Sequence, residues 1–161
     1  MALSHEADEV LSARGMATRL RNVLRVNVGF SAVTGTLALV LGGQTADLLG
    51  LDPAWIVPAL GAGLLGFAGV VFGVAGARTS TLLDWSRIIS VADFGWVAAT
   101  AAVIAAGWLS TTGAIVMGLI GLVVFELGLA QLRWRKRLAT AMTATDVGID
   151  VSPAVEVIEF L

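Results

Sequence analysis

Four long apolar runs dominate the chain, and short polar segments separate them. The runs cover residues 20–42, 55–77, 85–108 and 112–132. Each reaches the length of about 20 residues that a helix needs to cross a bilayer. The pattern therefore predicts an all-α fold, an integral membrane four-helix bundle.

Two polar segments flank these spans. Residues 1–19 form an N-terminal amphipathic segment, and residues 4–13 within it are predicted to be a short helix along the membrane surface. Residues 133–161 form a C-terminal tail, and residues 147–161 alternate in part between apolar and polar. Two alternatives stay open for that stretch: a disordered tail, or an extended strand that docks on a partner.

Composition supports a membrane protein and narrows its chemistry. Hydrophobic residues make up 57% of the 161 residues and charged residues 14%, whereas charged residues are about 25% of an ordinary soluble domain. The net charge of −2 gives no basic footprint for nucleic acid. With no cysteine and one histidine, no metal site and no cofactor is expected. Phosphate-loop, paired-histidine and nucleophile-elbow motifs are absent, so an enzyme is not expected.

The ten basic residues all fall on one side of the predicted bundle. They precede or open the first span, flank the loop between the second and third spans, or follow the fourth span. Because basic residues stay on the cytoplasmic side, both termini and this middle loop are predicted to be cytoplasmic. The Ala-, Gly- and Val-rich composition, with many Arg and one Lys among the basic residues, favours a bacterium, and hence its cytoplasmic (inner) membrane.

A shift along the chain suggests an internal repeat. An offset of 66 residues superposes Asn27-Val28-Gly29-Phe30 on Asp93-Phe94-Gly95-Trp96. An offset of 52 superposes five small residues of the second span, from Gly61 to Gly76, on five of the fourth, from Gly113 to Gly128. The pattern is open to two interpretations: duplication of a two-helix hairpin, or chance in a chain built from few residue types.

Small residues at spacings of four recur in spans two, three and four. Examples are Ala62 with Gly66, Gly69 with Gly73, and Gly95 with Ala99. Small residues let transmembrane helices approach closely, so these stripes predict helix contacts, either within the chain or between copies.

An intramembrane polar layer is the candidate functional feature: Arg25, Asn27, Asp93 and Glu126. These residues come from three spans, yet lie at similar predicted depth in the cytoplasmic half. In one hypothesis, Arg25 pairs with one of the two acids and Asn27 bonds to the other, as a structural clasp. In a second, the acid left without a base carries a proton in transport. Trp96 and Gln131 are predicted as possible ligand-lining residues.

Two short segments resemble a known class of protein. They are Leu24-Arg25-Val26-Asn27, followed by Ser31 and Gly35, and Ala92-Asp93, followed by Trp96-Val97. They resemble small four-span bacterial integral membrane proteins without an assigned function. The resemblance covers about residues 20–135 and implies a four-helix bundle, but no activity.

Three functional hypotheses follow. The first is a non-enzymatic scaffold or accessory subunit, which acts as a homo-oligomer or with other membrane subunits. The second is a small proton-coupled transporter or channel that uses Asp93 and Glu126. The third is a protein that binds lipid or quinone between the two hairpins. Membrane lipid is an expected partner in each case, and nucleic acid is not.

Overall fold

The computed structural model describes residues 2–149, with the side chains of residues 13–143. It contains five helices: α1 (Ala2–Val40), α2 (Gly42–Leu49), α3 (Ile56–Gly76), α4 (Thr79–Ala105) and α5 (Thr111–Ile149). No strand occurs within residues 2–149. Four segments are long and apolar enough to cross a membrane: Ala13–Val40, Ile56–Gly76, Thr79–Ala105 and Thr111–Thr143. The predicted all-α four-span architecture is confirmed.

The helices extend beyond the apolar runs. The N-terminal segment and the first span form one continuous α1 rather than two elements, and α5 continues through much of the predicted tail to Ile149. Hydropathy marks only the part of a helix that sits in lipid, while the helix itself continues until a residue interrupts it. The two alternatives for residues 147–161 concern mostly residues 150–161, which lie outside the described part.

The short helix α2 fills a segment predicted as a loop. It ends at Gly50, which has a left-handed backbone with φ 74°, a conformation that glycine adopts without steric cost. Ser110 fastens this end of α2 to the start of α5: its backbone N–H donates to Leu49 O at 2.8 Å, and its hydroxyl donates to Leu48 O at 2.6 Å. We call this end of the bundle, with α2 and residues 106–110, the distal end.

The opposite end, with the α3–α4 connection and the extensions of α1 and α5, is the terminal end. Its core holds Leu20, Leu24, Val71, Leu82, Ile89 and Leu138, all buried. Arg21 donates to Ala77 O at 3.1 Å, which ties α1 to the α3–α4 connection. The guanidinium groups of Arg19 and Arg137 lie 5.0 Å and 4.9 Å from the centre of the Trp134 ring. The basic residues therefore share one end of the molecule.

The four long helices do not pack equally. Helix α1 packs extensively against α3 and α5, and α4 packs against α5, whereas α3 and α4 touch only sparingly. A close approach of two backbones joins α1 to α3 at Gly35 and Gly61. A Cβ atom added at Gly61 would lie 2.7 Å from Gly35 O, and one at Gly35 would lie 2.8 Å from Gly61 O. The bundle is therefore tight on the α1 side and open between α3 and α4.

Most of the predicted small-residue stripes do not make these contacts. Gly66, Gly69, Gly73 and Gly95 are exposed, and a Cβ at any of them would meet no atom within 4 Å. For these glycines, the prediction of packing within the chain is wrong, because they face outward. Contacts between copies stay a prediction.

Candidate functional site

Asp93 is the centre of a buried polar cluster that joins three helices. Its carboxylate oxygen Oδ2 accepts hydrogen bonds from Asn27 Nδ2 at 2.9 Å and from Gln131 Nε2 at 2.8 Å. The three side chains are 1% (Asn27), 3% (Asp93) and 0% (Gln131) exposed. One carboxylate oxygen thus links α1, α4 and α5 in the middle of the bundle.

Two serines fix the direction of the two amides. Ser31 Oγ donates to Asn27 Oδ1 at 3.2 Å, and Ser90 Oγ lies 3.3 Å from Gln131 Oε1. Because each amide oxygen faces a hydroxyl, each NH₂ group faces the carboxylate. We call Asn27, Ser31, Ser90, Asp93 and Gln131 the polar cluster.

Helix periodicity accounts for the membership of the polar cluster. Asn27 and Ser31 are four residues apart on α1, and Ser90 and Asp93 are three apart on α4, so each pair shares one helix face. The serines were missed as site residues, because a serine in a transmembrane helix is expected to bond to its own backbone. Ser90 Oγ also lies 2.9 Å from Ser86 O. The signal that identifies these serines is their spacing from Asn27 and Asp93.

The structure separates Arg25 and Glu126 from the polar cluster, which corrects the predicted clasp. Both side chains are exposed, and neither forms an ion pair or side-chain hydrogen bond within residues 13–143. Two residues of helix correspond to a rotation of about 200°, so Arg25 and Asn27 point in nearly opposite directions. Arg25 and Glu126 were assigned to the polar layer from their distance along the spans. Their side chains point away from the bundle interior, because each lies on the outer side of its helix.

The remaining two predicted residues have different outcomes. Trp96 lines both of the cavities described below, and its contact with a ligand stays a prediction. Gln131 belongs to the polar cluster instead and lines neither of these cavities. Asn27 was expected to bond to one of the two acids, and it bonds to Asp93, whereas the internal repeat stays a prediction.

A cavity of about 290 Å³, the inner cavity, reaches the polar cluster. Asn27, Ser31 and Asp93 form its polar wall, and Phe30, Phe67 and Trp96 contribute aromatic rings. Several lining residues on α3 and α4 are exposed: Ala59, Leu60, Gly63 and Ala92. The inner cavity therefore opens sideways, between α3 and α4.

A second cavity, the distal cavity, adjoins the inner cavity toward the distal end and measures about 560 Å³. The two cavities share lining residues: Thr34, Leu60, Leu64, Trp96 and Ile120. Most other side chains around the distal cavity are apolar, and α2 closes its far side through Thr45, Leu48 and Leu49. Together the two cavities form an elongated, mostly apolar space with Asn27, Ser31 and Asp93 at one end.

The space is closed on the terminal side of Asp93. Gln131 donates to the Asp93 carboxylate, and Ser90 contacts the amide oxygen of Gln131. Beyond them lies the apolar core around Leu24, Leu82 and Ile89. Asp93 is therefore reached from the cavity side.

No family model, curated protein or solved structure matches this chain. Within the described residues, no group of three His, Cys, Asp or Glu side chains is placed to hold a metal ion. The candidate site is thus defined by its own geometry: a buried carboxylate, held by two amides, at the end of an apolar space.

Proposed function

We propose that this chain is a non-enzymatic multi-pass protein of the bacterial cytoplasmic membrane, with both termini cytoplasmic, and that it binds a membrane-soluble molecule between α3 and α4. The observation that carries the proposal is the lateral opening of the inner cavity onto the lipid-facing surface, next to Asp93. A ligand with an apolar body would enter from the bilayer and place a polar group against Asp93. Sites of this kind are mostly apolar, with a few polar groups that orient the ligand.

The shape of the space supports a ligand longer than a single ring. The inner and distal cavities continue into one another past Trp96 and Leu64. Most residues along this path are apolar, so the body of the ligand is expected to be mainly hydrocarbon or aromatic. This is the arrangement predicted by the lipid- or quinone-binding hypothesis.

Photolabelling in lipid nanodiscs tests the proposal. The probe is a neutral long-chain alkyl diazirine, and labelled positions are read by peptide mass spectrometry. We expect label on Leu60, Leu64 and Trp96 in excess of that on purely lipid-facing residues such as Phe72 and Ile115. Gly63→Phe is expected to abolish this excess, because Gly63 lines the inner cavity and has open space beside it.

Gly95→Phe is the matched control. Gly95 is also an exposed helical glycine with no atom within 4 Å of an added Cβ, but it lines neither cavity. The excess label should therefore persist in Gly95→Phe. Uniform labelling of all lipid-facing positions, unchanged by Gly63→Phe, would refute the proposal.

The proton-coupled transporter hypothesis gains less support. It relied on two intramembrane acids, and Glu126 is exposed on the surface of the bundle. A transported ligand would also need a path past Gln131 and the terminal core, where Leu24, Leu82 and Ile89 are packed. The arrangement therefore favours binding over passage.

A second candidate function, assembly with a further copy or another subunit, is favoured by the outer face of α3. Ala62, Gly66, Gly69 and Gly73 are exposed at spacings of four, three and four residues. A partner helix could approach this backbone closely, since the three glycines have nothing near them. The hypothesis of a homo-oligomeric scaffold or accessory subunit depends on this face.

Native mass spectrometry in mild detergent tests the assembly. Wild type is expected to give an oligomer or a stable complex, and Gly69→Phe to give a monomer, because the bulky ring would block the approach of a partner helix. Gly29→Phe on α1 serves as the control, because Gly29 is exposed, has no atom within 4 Å of an added Cβ and belongs to none of the small-residue stripes. A wild-type monomer without a bound protein would count against this candidate.

A further inference from the structure

One oxygen of Asp93 has no hydrogen-bond partner among the described residues. Both amide donors bond to Oδ2, and no hydrogen bond to Oδ1 occurs within the described residues. Every fully buried side-chain nitrogen or oxygen there has a partner, so Oδ1 keeps accessible surface. Since Asp93 lines the inner cavity, Oδ1 is the atom that a ligand would meet.

Within residues 13–143, no cationic side chain bonds to this carboxylate. Arg25 is exposed, Arg21 donates to the backbone of Ala77, and Arg135 donates to the backbone of Leu83. Two amide N–H groups support negative charge on the carboxylate, but they bring no positive charge. A buried carboxylate without a paired cation is costly in an apolar setting, and a cationic ligand would remove that cost.

Aromatic rings lie one helical turn from the two polar residues. Phe30 follows Asn27 by three residues on α1, and Trp96 follows Asp93 by three residues on α4. Residues at this spacing share a helix face and differ in height by about 4.5 Å. Both rings line the inner cavity, as does Phe67. A cation against Oδ1 would thus share the inner cavity with these rings, and aromatic rings attract cations within about 6 Å.

We propose that the inner cavity binds lipophilic monovalent cations, with the positive charge held between Asp93 Oδ1 and the rings of Phe30 and Trp96. The apolar body of such a molecule extends into the distal cavity. This inference rests on the proposed function and names its ligand class. It predicts selection by charge as well as by hydrophobicity.

A pair of probes of equal shape and opposite charge tests this selection. Tetraphenylphosphonium is the cation, and tetraphenylborate is the anion. Each competes with the neutral diazirine for the inner cavity in nanodiscs, and the readout is the concentration that halves the excess label. In wild type we expect the cation to protect at a concentration roughly tenfold or more below that of the anion.

Three variants identify the groups responsible. Asp93→Asn keeps the size of the side chain and can still accept both amide hydrogen bonds through its oxygen, but it removes the charge. It is expected to raise the protecting concentration of the cation roughly tenfold or more. Glu126→Gln, the matched loss of an exposed acid, is expected to leave it unchanged. Phe30→Leu, which keeps an apolar side chain but removes a ring, is expected to raise it severalfold.

The outcomes separate the two proposals. Excess label from the neutral probe in Asp93→Asn shows that the variant keeps its fold and its cavity. Equal protection by cation and anion, or equal effects of Asp93→Asn and Glu126→Gln, would overturn the cation inference while the proposed function stands. If Asp93→Asn loses the neutral label, Phe30→Leu decides, and an unchanged cation preference there overturns the inference. Absence of excess label in wild type would overturn the proposed function itself.

Discussion

The hydrogen bond from Gln131 to Asp93 joins α5 to α4 between two buried side chains. Gln131→Leu keeps the side chain nearly the same size but removes the donor, so Asp93 keeps only Asn27. We expect the free energy of unfolding to fall by roughly 1–3 kcal/mol, the cost of removing a partner from a buried charged group. Reversible denaturation in mixed micelles measures this change.

Glu126→Gln is the control for that measurement on the same helix. Glu126 is exposed and bonds to no side chain in the described part of the chain, so its replacement should change the free energy of unfolding by less than about 0.5 kcal/mol. Equal stabilities of wild type and Gln131→Leu would show that the polar cluster does not hold the bundle together.

The relative level along the bundle was predictable for Asn27 and Asp93, which meet, whereas the direction of side chains about each helix axis was not. The count of residues from each span boundary placed Asn27, Asp93 and Glu126 at a common level. Which side chains meet depends on the rotation of each helix, and that rotation is set by packing, such as the Gly35–Gly61 contact. A predominantly apolar span carries little polar pattern from which to derive the rotation, so Arg25 and Glu126 were misplaced while Asn27 and Asp93 were placed correctly.

At the scale of the elements, the close contact between α1 and α3 predicts that Gly35 cannot be replaced by a larger residue without loss of stability. A Cβ atom at Gly35 would lie 2.8 Å from the backbone oxygen of Gly61, which cannot move without the helix. Gly35→Ala should therefore push α1 from α3 and lower the free energy of unfolding by roughly 1–3 kcal/mol. The same micelle denaturation measures it.

Gly29→Ala is the matched control, six residues earlier on α1. Gly29 is exposed and has no atom within 4 Å of an added Cβ. Its replacement should leave stability unchanged or raise it slightly, because alanine favours helix over glycine. If Gly35→Ala and Gly29→Ala behave alike, the close approach of the two backbones is not what sets the α1–α3 distance.

Some helices and helix contacts of this protein could be predicted from hydropathy, and others could not. Hydropathy located four spans, because the bilayer imposes a length on each of them. It did not locate α2, which lies between two spans and is held by Ser110 and by the close fit of Gly113 against Leu49. Hydropathy also did not identify the contacting glycines. Gly35 and Gly61 are surrounded in the sequence by the same small and apolar residue types as the outward-facing Gly66 and Gly69. Only their neighbours in space distinguish them.

At the scale of the whole molecule, the uneven packing of the bundle produces the site. A symmetric arrangement of two hairpins would pack α3 against α4 as closely as α1 packs against α5. The observed bundle closes the α1–α5 side and leaves the α3–α4 side open, so the cavities and the exposed wall around Gly63 lie there. The sequence offsets of 66 and 52 could not predict this asymmetry. They compare the residues of one span with those of another, and they carry no information on which spans pack together.

The orientation of the whole molecule yields the last prediction. All ten basic residues are expected on the cytoplasmic side, so the distal end should face outward. The chain has no cysteine, so single cysteines can be introduced without a background. Gln44→Cys, exposed on α2, should react with a membrane-impermeant maleimide in intact cells. Ser80→Cys, exposed at the start of α4, should react only after permeabilisation. The reverse labelling would place both termini outside and would show that the arginines do not orient this bundle.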